Sequence, residues 1–533
     1  MLIGVTLSAA ASADTLVRNI KGYSPTPTGV AAFEFLVFND AGRIVSVGSG
    51  EEPAANVVID GKGRVLLPGL SDAHGHVSSL GLARLSVDLV GTRSLEEAVA
   101  RVADYAAANP DLPWIVGRGW NQELWQVRAF PSAADLDRVV ARPVWLNRVD
   151  GHAGWANTTA LRRAGISAET PDMAGGKILR DAGGEATGVL VDRAMELIEA
   201  VVPPPDIAAL DKALNLAFAE LLANGITSVH DAGVSVAEAR LYQARAAAGR
   251  MPVRIYAMLA GIDAVRGFGF PFATPDERLV VRSMKLVADG ALGSRGAALL
   301  EPYADSPDNR GLVIEDLPAL AAKIAEARAL GYQVNVHAIG DRANRIVLDA
   351  FGAAETRPAE RHRIEHAQIV ALDDIPRFAA QGIVPSMQAI HATSDRLMTV
   401  ARLGPTRLEG AYAWRRFLDL GLRIPGGSDF PVEPVNPFLG WYAAVSRQGL
   451  DGEPPGGWLP DQVMTGAEAL RAISLDAAYG AFLEASLGSL EPGKWADFIL
   501  VDADPFEVPA RRIADITVLG TWVAGRQEFP STP

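Results

Sequence analysis

Between Val65 and Ile473 the chain repeats one unit: a short apolar run, then a polar or ionisable residue, then in many cases a helical stretch. Eight runs can be traced: Val65–Leu70, Ile226–Val229, Val253–Met258, Met284–Val287, Gln333–Val336, Arg363–Ile364, Ile383–Met387 and Leu422–Pro425. Strands separated by helices pair in parallel, because the crossover returns the chain to its starting edge. Eight such repeats predict an α/β fold, a (β/α)8 TIM barrel whose reactive groups collect at the C-terminal ends of the strands. The helical half of the rhythm is checked at one place. Asp206 reads as an N-cap, Leu210, Leu214, Ala217 and Leu221 share one face, and Gly225 stands where a C′ glycine belongs.

The remainder of the chain brackets and interrupts this barrel. Phe33, Phe35 and Val37 lead through Asn39-Asp40-Ala41-Gly42 into Arg43–Val47, a hairpin pattern, and short apolar runs return at 497–501 and Val518–Val523. Neither end has enough strands for a stable sheet alone, so the two are expected to combine into one small β-sandwich, 14–64 with 476–533. The barrel then occupies 65–94 and 206–475. About 150 residues separate the first two barrel strands, far more than an ordinary loop, which places an inserted domain at 95–205, expected to cover the barrel mouth.

The 49 basic and 63 acidic residues give a formal net charge of −14, which argues against a nucleic-acid partner, since phosphate contacts need a basic face. There are no cysteines, so thiolate metal sites and cysteine nucleophiles are excluded. Leu2–Ala13 is too short to span a bilayer. Its end, Ala11-Ser12-Ala13 before Asp14, resembles a signal-peptidase site and points to a periplasmic or secreted protein. If the segment is instead the start of the first strand, the expectation is cytoplasmic.

Reading only the strand ends gives His74 and His76 after the first strand, Lys285 in the fourth, His337 after the fifth, His366 after the sixth and Asp429 after the eighth. His74 and His76 are two apart and project to the same side of an extended segment, a pincer for a divalent cation. Chance would scatter such residues over helices and loops.

Several of these segments resemble the amidohydrolase superfamily. Pro68-Gly69-Leu70-Ser71-Asp72-Ala73-His74-Gly75-His76 is similar to its first metal motif. The stretch from Met284 through Lys285, Asp289 and Ser294 to Arg295 resembles that of the YtcJ-like branch, amidohydrolase family 3, which includes N-substituted formamide deformylase. Asn335–Asp341, Arg363–Ala367, Gly427–Pro431 and Gly488–Asp497 match later motifs of that branch. The resemblance implies two Zn2+ ions per chain, one held by His74, His76 and Asp429 and the other by His337 and His366. Lys285 would bridge them as a carbamate derived from CO2. It further implies hydrolysis of a non-peptide C–N bond, in an amide or an N-formyl or N-acyl amine, by a hydroxide shared between the ions, with Asp429 as general base and then general acid.

A second group of residues is expected around the substrate: Trp120, His152, Asp289, Ser294, Arg295 and His391, with His152 also a catalytic candidate that would hydrogen-bond the oxyanion. Each has a plainer alternative. Trp120 could be core, His152 and His391 structural or loop histidines, Asp429 a helix N-cap, and Lys285 an ordinary salt-bridged lysine beside a single metal. His230-Asp231 reads as a structural pair and His362 as a surface residue. The expected partner is a small molecule, with no membrane span and a homodimer as the candidate assembly. A mononuclear deaminase of a cyclic amidine, an ester or lactone hydrolase and a non-catalytic scaffold remain as alternatives.

Overall fold

Seven of the apolar runs become parallel strands of one sheet: Leu70–Gly75, Ile226–Val234, Arg254–Ala260, Leu279–Val287, Gln333–Ala338, Arg363–His366 and Val384–Ser386. The computed structural model describes residues 14–127, 129–148, 153–173, 176–293 and 295–530. Residues 1–13, which carry the export expectation, lie outside them. Neighbouring strands follow in chain order, so the sheet curls into a nearly closed barrel of the TIM type. Its strand interiors are rich in buried Val, Ile, Leu and Met, as strands covered on both faces require.

The eighth run differs from expectation. Leu422–Pro425 forms no strand, and the seventh strand reaches the first across an extended segment. That segment carries one parallel bridge, Met387 to Gly426. Met387 N–H donates to Pro425 O at 3.1 Å, Ala73 N–H to Gly426 O at 3.0 Å, and Asp429 N–H to His74 O at 2.7 Å. The segment thus bonds to both edges of the sheet without the length to be a strand.

The first run is also redistributed. Val65–Pro68 is the end of a long strand, Val57–Pro68, that belongs to the other sheet of this unit, and the first barrel strand starts only at Leu70. Between them stands Gly69, where a Cβ would lie 2.4 Å from the Thr227 hydroxyl. The chain ends do combine. Thr15–Thr26, Gly29–Phe33, Phe35–Phe38, Ile44–Gly48 and Val57–Pro68 join Phe498–Val501, Val518–Val523 and Arg526–Phe529 in one eight-stranded sheet. Phe498, Trp522, Leu66 and Leu36 pack on one face and Leu16, Phe35 and Val37 on the other. A buried ion pair, Arg254 to Asp497 at 2.6 Å, ties this sheet to the third barrel strand.

Barrel and end sheet make up one compact unit, up to Val77 and from Phe218 onward; a second runs from Ser78 to Ala217, starting ahead of the expected 95. Its sheet has six strands in the order Gly176–Arg180, Ala186–Asp192, Ala153–Ala156, Val144–Arg148, Ile115–Trp120 and Val87–Asp88. The helix Ile207–Ala223 forms as expected: Asp206 accepts from Ala209 N–H at 2.7 Å, and Gly225 adopts φ +76° after its end. Among the described residues no helix is long and apolar enough to cross a membrane.

Candidate metal centre

The strand ends bring His74, His76, Lys285, His337, His366 and Asp429 together. Each of three imidazoles is oriented through its Nδ1. That of His74 donates to the Glu365 carboxylate at 2.5 Å, that of His76 to Ala232 O at 2.8 Å, and that of His366 to Gln388 Oε1 at 2.8 Å. The opposite nitrogens remain for a shared space. His74 Nε2 lies 3.0 Å from Lys285 Nζ and 3.7 Å from Asp429 Oδ1, and His76 Nε2 lies 3.0 Å from that same oxygen. The His366 ring centroid is 4.8 Å from that of His74 and 4.5 Å from that of His337. His337 Nε2 is buried without a hydrogen-bond partner.

Local backbone geometry explains how short strand ends achieve this convergence. His366, Ala367 and Asp429 have φ of 74°, 42° and 63°, a left-handed region unfavourable for residues with a Cβ and found disproportionately at functional sites. The turn at His366 breaks the strand's alternation. Gly427 permits the approach of the last segment, because a Cβ there would sit 2.5 Å from the His74 backbone nitrogen. Ser428 then donates its N–H and hydroxyl to Asp72. Burial pushes the Asp72 carboxyl up to about 6 against these bonds.

The electrostatics favour neutral imidazoles at His74, His337 and His366 around an anionic aspartate, whereas at His76 burial is outweighed by the bond and charge of Asp429, which raise the ring above its usual value. Burial, followed by the nearby Lys285, lowers His74 to about 4 and His337 to about 3, and burial and the neighbouring rings hold His366 well below its usual value. Burial opposes ionisation of Asp429, yet His391 and His76 keep its carboxyl well below the usual range. Burial also lowers Lys285.

These residues fit a divalent cation. With Nδ1–H committed to Ala232, His76 faces Asp429 Oδ1 lone pair to lone pair at 3.0 Å, a contact that repels unless a cation or proton lies between. Among the described residues, His74, His76 and Asp429 form one donor group with all ligand atoms within 4.8 Å, and His366, His391 and Asp429 form another. Imidazole nitrogen with carboxylate oxygen suits zinc and its first-row neighbours.

The second group of expected residues disperses. His391 does reach the centre: buried at the start of the helix His391–Ser394, it places Nε2 3.5 Å from Asp429 Oδ2 and Nδ1 3.2 Å from Glu433. Burial opposes its protonation, but Asp429 and Glu433 raise it to about 10. Asp289 is fully buried and accepts from the N–H groups of Ala298, Ile339 and Gly340, organising the loops after the fourth and fifth strands. Arg295 pairs with Asp305 at 2.9 Å. Trp120 is fully buried in the core of the second unit, its indole N–H donating to Leu146 O at 2.7 Å. His152 and Ser294 lie outside the described residues. His362 is not a surface residue: it is buried, stacked on Phe351, with Nδ1 accepting from Val334 N–H.

Glu365, Gln388 and Glu433 were missed from the sequence. Glu365 could have been found as a partner of Arg363, because the two stand two apart on one strand and so project from the same face.

The sequence model of the amidohydrolase family matches residues 57–529. YtcJ of Bacillus subtilis, named as an amidohydrolase, is 33% identical over 470 residues, 87% of this chain and 89% of its own. The N-substituted formamide deformylase of Arthrobacter pascens is 29% identical over 521 residues, 93% of this chain and 95% of its own. Among solved structures, an uncharacterized metal-dependent hydrolase from Pyrococcus furiosus superposes with a TM-score of 0.79 at 28% identity, covering 93% of this chain and 100% of that one.

Proposed function

Because this chain belongs to the amidohydrolase family, we propose that it hydrolyses a non-peptide C–N bond, in an amide or an N-formyl or N-acyl amine, with the aid of two divalent ions. The observation that carries this reading is the set of imidazoles anchored at one nitrogen and open at the other around Asp429. The likeness to a formamide deformylase over 93% of the chain supports the choice of bond.

His74, His76 and Asp429 would hold one ion and His337 and His366 the other, with Lys285 between them as a carbamate. Only a neutral amine attacks CO2, and burial of Lys285 favours that form. When bound, the ions supply Lewis acidity that polarises the substrate carbonyl and acidifies a water. Asp429, held anionic, accepts a proton from the attacking water and returns it to the nitrogen as the C–N bond breaks, so that acid and amine leave together. His391, fixed by Glu433 beside Asp429, orients the substrate from the seventh strand's side. Asp289 holds in place the backbone that follows the His337 strand end.

The test uses chelator-stripped protein assayed against N-substituted formamides, longer amides and esters, before and after zinc is restored. Amine release that disappears with the metal and returns with it is expected. Full activity without any divalent ion would contradict the reading. Lys285→Ala is expected to be inactive and partly rescued by short carboxylic acids, which supply the missing oxygens; unchanged turnover would remove the carbamate.

A further inference from the structure

The barrel interior beneath the metal centre contains two charged residues where such barrels ordinarily hold apolar side chains. Arg363 and Glu365 are both fully buried. The Arg363 Nε lies 2.7 Å from Glu365 Oε1, and Nη2 donates to Oε2 at 3.0 Å. The same Nη2 also faces Ala73 O on the first strand at 2.7 Å and Ser386 Oγ on the seventh at 2.8 Å, its two hydrogens shared among three acceptors, and Nη1 donates to His230 Nδ1 on the second at 2.8 Å. Arg363 therefore brackets the two edges of the nearly closed sheet. Glu365 Oε2 has one further partner, His74 Nδ1. A buried ion pair is commonly no more stabilising than well-packed apolar residues, so stability alone does not account for it.

We infer that Glu365 is a positioning residue for the metal centre, holding His74 as its Nδ1–H tautomer so that Nε2 keeps a lone pair for the cation. Arg363 in turn fixes Glu365. The inference rests on the metal reading above. An ionised carboxylate only accepts hydrogen bonds, so the Nδ1 it contacts must carry the proton. The freed Nε2 points to Lys285 Nζ and Asp429 Oδ1. Loss of such an outer partner typically lowers metal affinity about 10- to 100-fold.

In Glu365→Gln the guanidinium, a donor alone, takes the amide oxygen. The amide NH2 is then left facing His74 Nδ1, and the proton moves to Nε2. Glu365→Asp keeps the charge opposite Arg363 but withdraws the carboxylate from His74 by one methylene. Ser386→Ala removes one contact of the same arginine but leaves its Nε and Nη2 contacts to Glu365, and so His74, as they are. Stripped proteins are titrated with zinc against a competing chromophoric chelator, with circular dichroism as the check on folding. Both Glu365 variants are expected to lose about 10- to 100-fold in affinity at one of the two sites, while Ser386→Ala binds as the wild type does. The aspartate variant decides alone if the glutamine variant does not fold. Wild-type affinity in a folded Glu365 variant, or an equal loss in Ser386→Ala, overturns the inference. A wild type that binds no zinc instead overturns the metal reading beneath it, and the inference with it.

Discussion

The barrel interior and the core of the second unit are both sealed from water, yet they are filled in opposite ways. In the second unit Trp120, Trp125 and Trp155 gather with ring centroids 6.2 to 6.4 Å apart, among Val, Leu and Ile. Each indole N–H finds an acceptor: Leu146 O, Thr92 Oγ1 and Ser132 O. Such a core is stable because it removes apolar area from water and leaves no polar atom of these rings unpaired. Beneath the barrel mouth stand Arg363, Glu365, His230, His74, Lys285 and Asp429, all buried or nearly so. Desolvating those groups works against folding, and what the arrangement supplies is orientation. The aromatic core is built for packing, whereas the barrel interior holds polar groups in fixed orientations at a cost to stability.

The largest expected effect falls on turnover. Asp429→Asn removes the proposed proton carrier and is expected to lower kcat about 100- to 10,000-fold. Lys285→Met, assayed in the same way, abolishes activity without lowering the melting temperature of stripped protein, because it deletes a buried amine that folding must desolvate. A marked fall in melting temperature in Lys285→Met would break the contrast. Trp155→Ala should do the reverse and cost about 3–5 kcal/mol of stability in urea unfolding. A loss under 1 kcal/mol would mean that the aromatic core relaxes to fill the space.

A smaller effect sharpens the comparison at the barrel's outer rim. Burial would raise Glu360, but bidentate bonds from Arg328 at 2.9 Å and the Arg357 N–H lower its carboxyl to about 2. A depressed carboxyl contributes stability above its ordinary value near 4.5, and that contribution fades as pH falls from there toward 2. The melting-temperature gap between wild type and Glu360→Gln should therefore close on acidification. A gap undiminished at about pH 2.5 would show that the ion pair is not its source. The smallest effect is at a helix cap: Ser94 accepts from Glu97 N–H at 3.1 Å, and Ser94→Ala should cost about 1 kcal/mol by the same unfolding measurement.

The parts legible in the sequence were those governed by spacing. Alternation placed His74 and His76 together, and the strand-and-helix rhythm put Lys285, His337 and His366 at one mouth. Two boundaries escaped. Val65–Pro68 and Leu70–Gly75 are both buried yet pair in different sheets, and the apolar run Val65–Leu70 carries no mark of that division beyond Gly69. The last segment, 425–429, bonds through its backbone to both neighbours, so no apolar pattern was needed to hold it, and none announces that it is too short for a strand. The anchoring partners Glu365, Gln388 and Glu433 act across strands. His391 joined the centre because a short helix after the seventh strand turns it toward Asp429, a direction that periodicity in a loop does not encode.

Elemental analysis of the zinc-loaded wild-type protein after gel filtration tests the central claim most directly. About two zinc ions per folded chain are expected, falling to one or none when His74 is replaced by Ala. A folded wild-type chain that retains no metal would contradict the account.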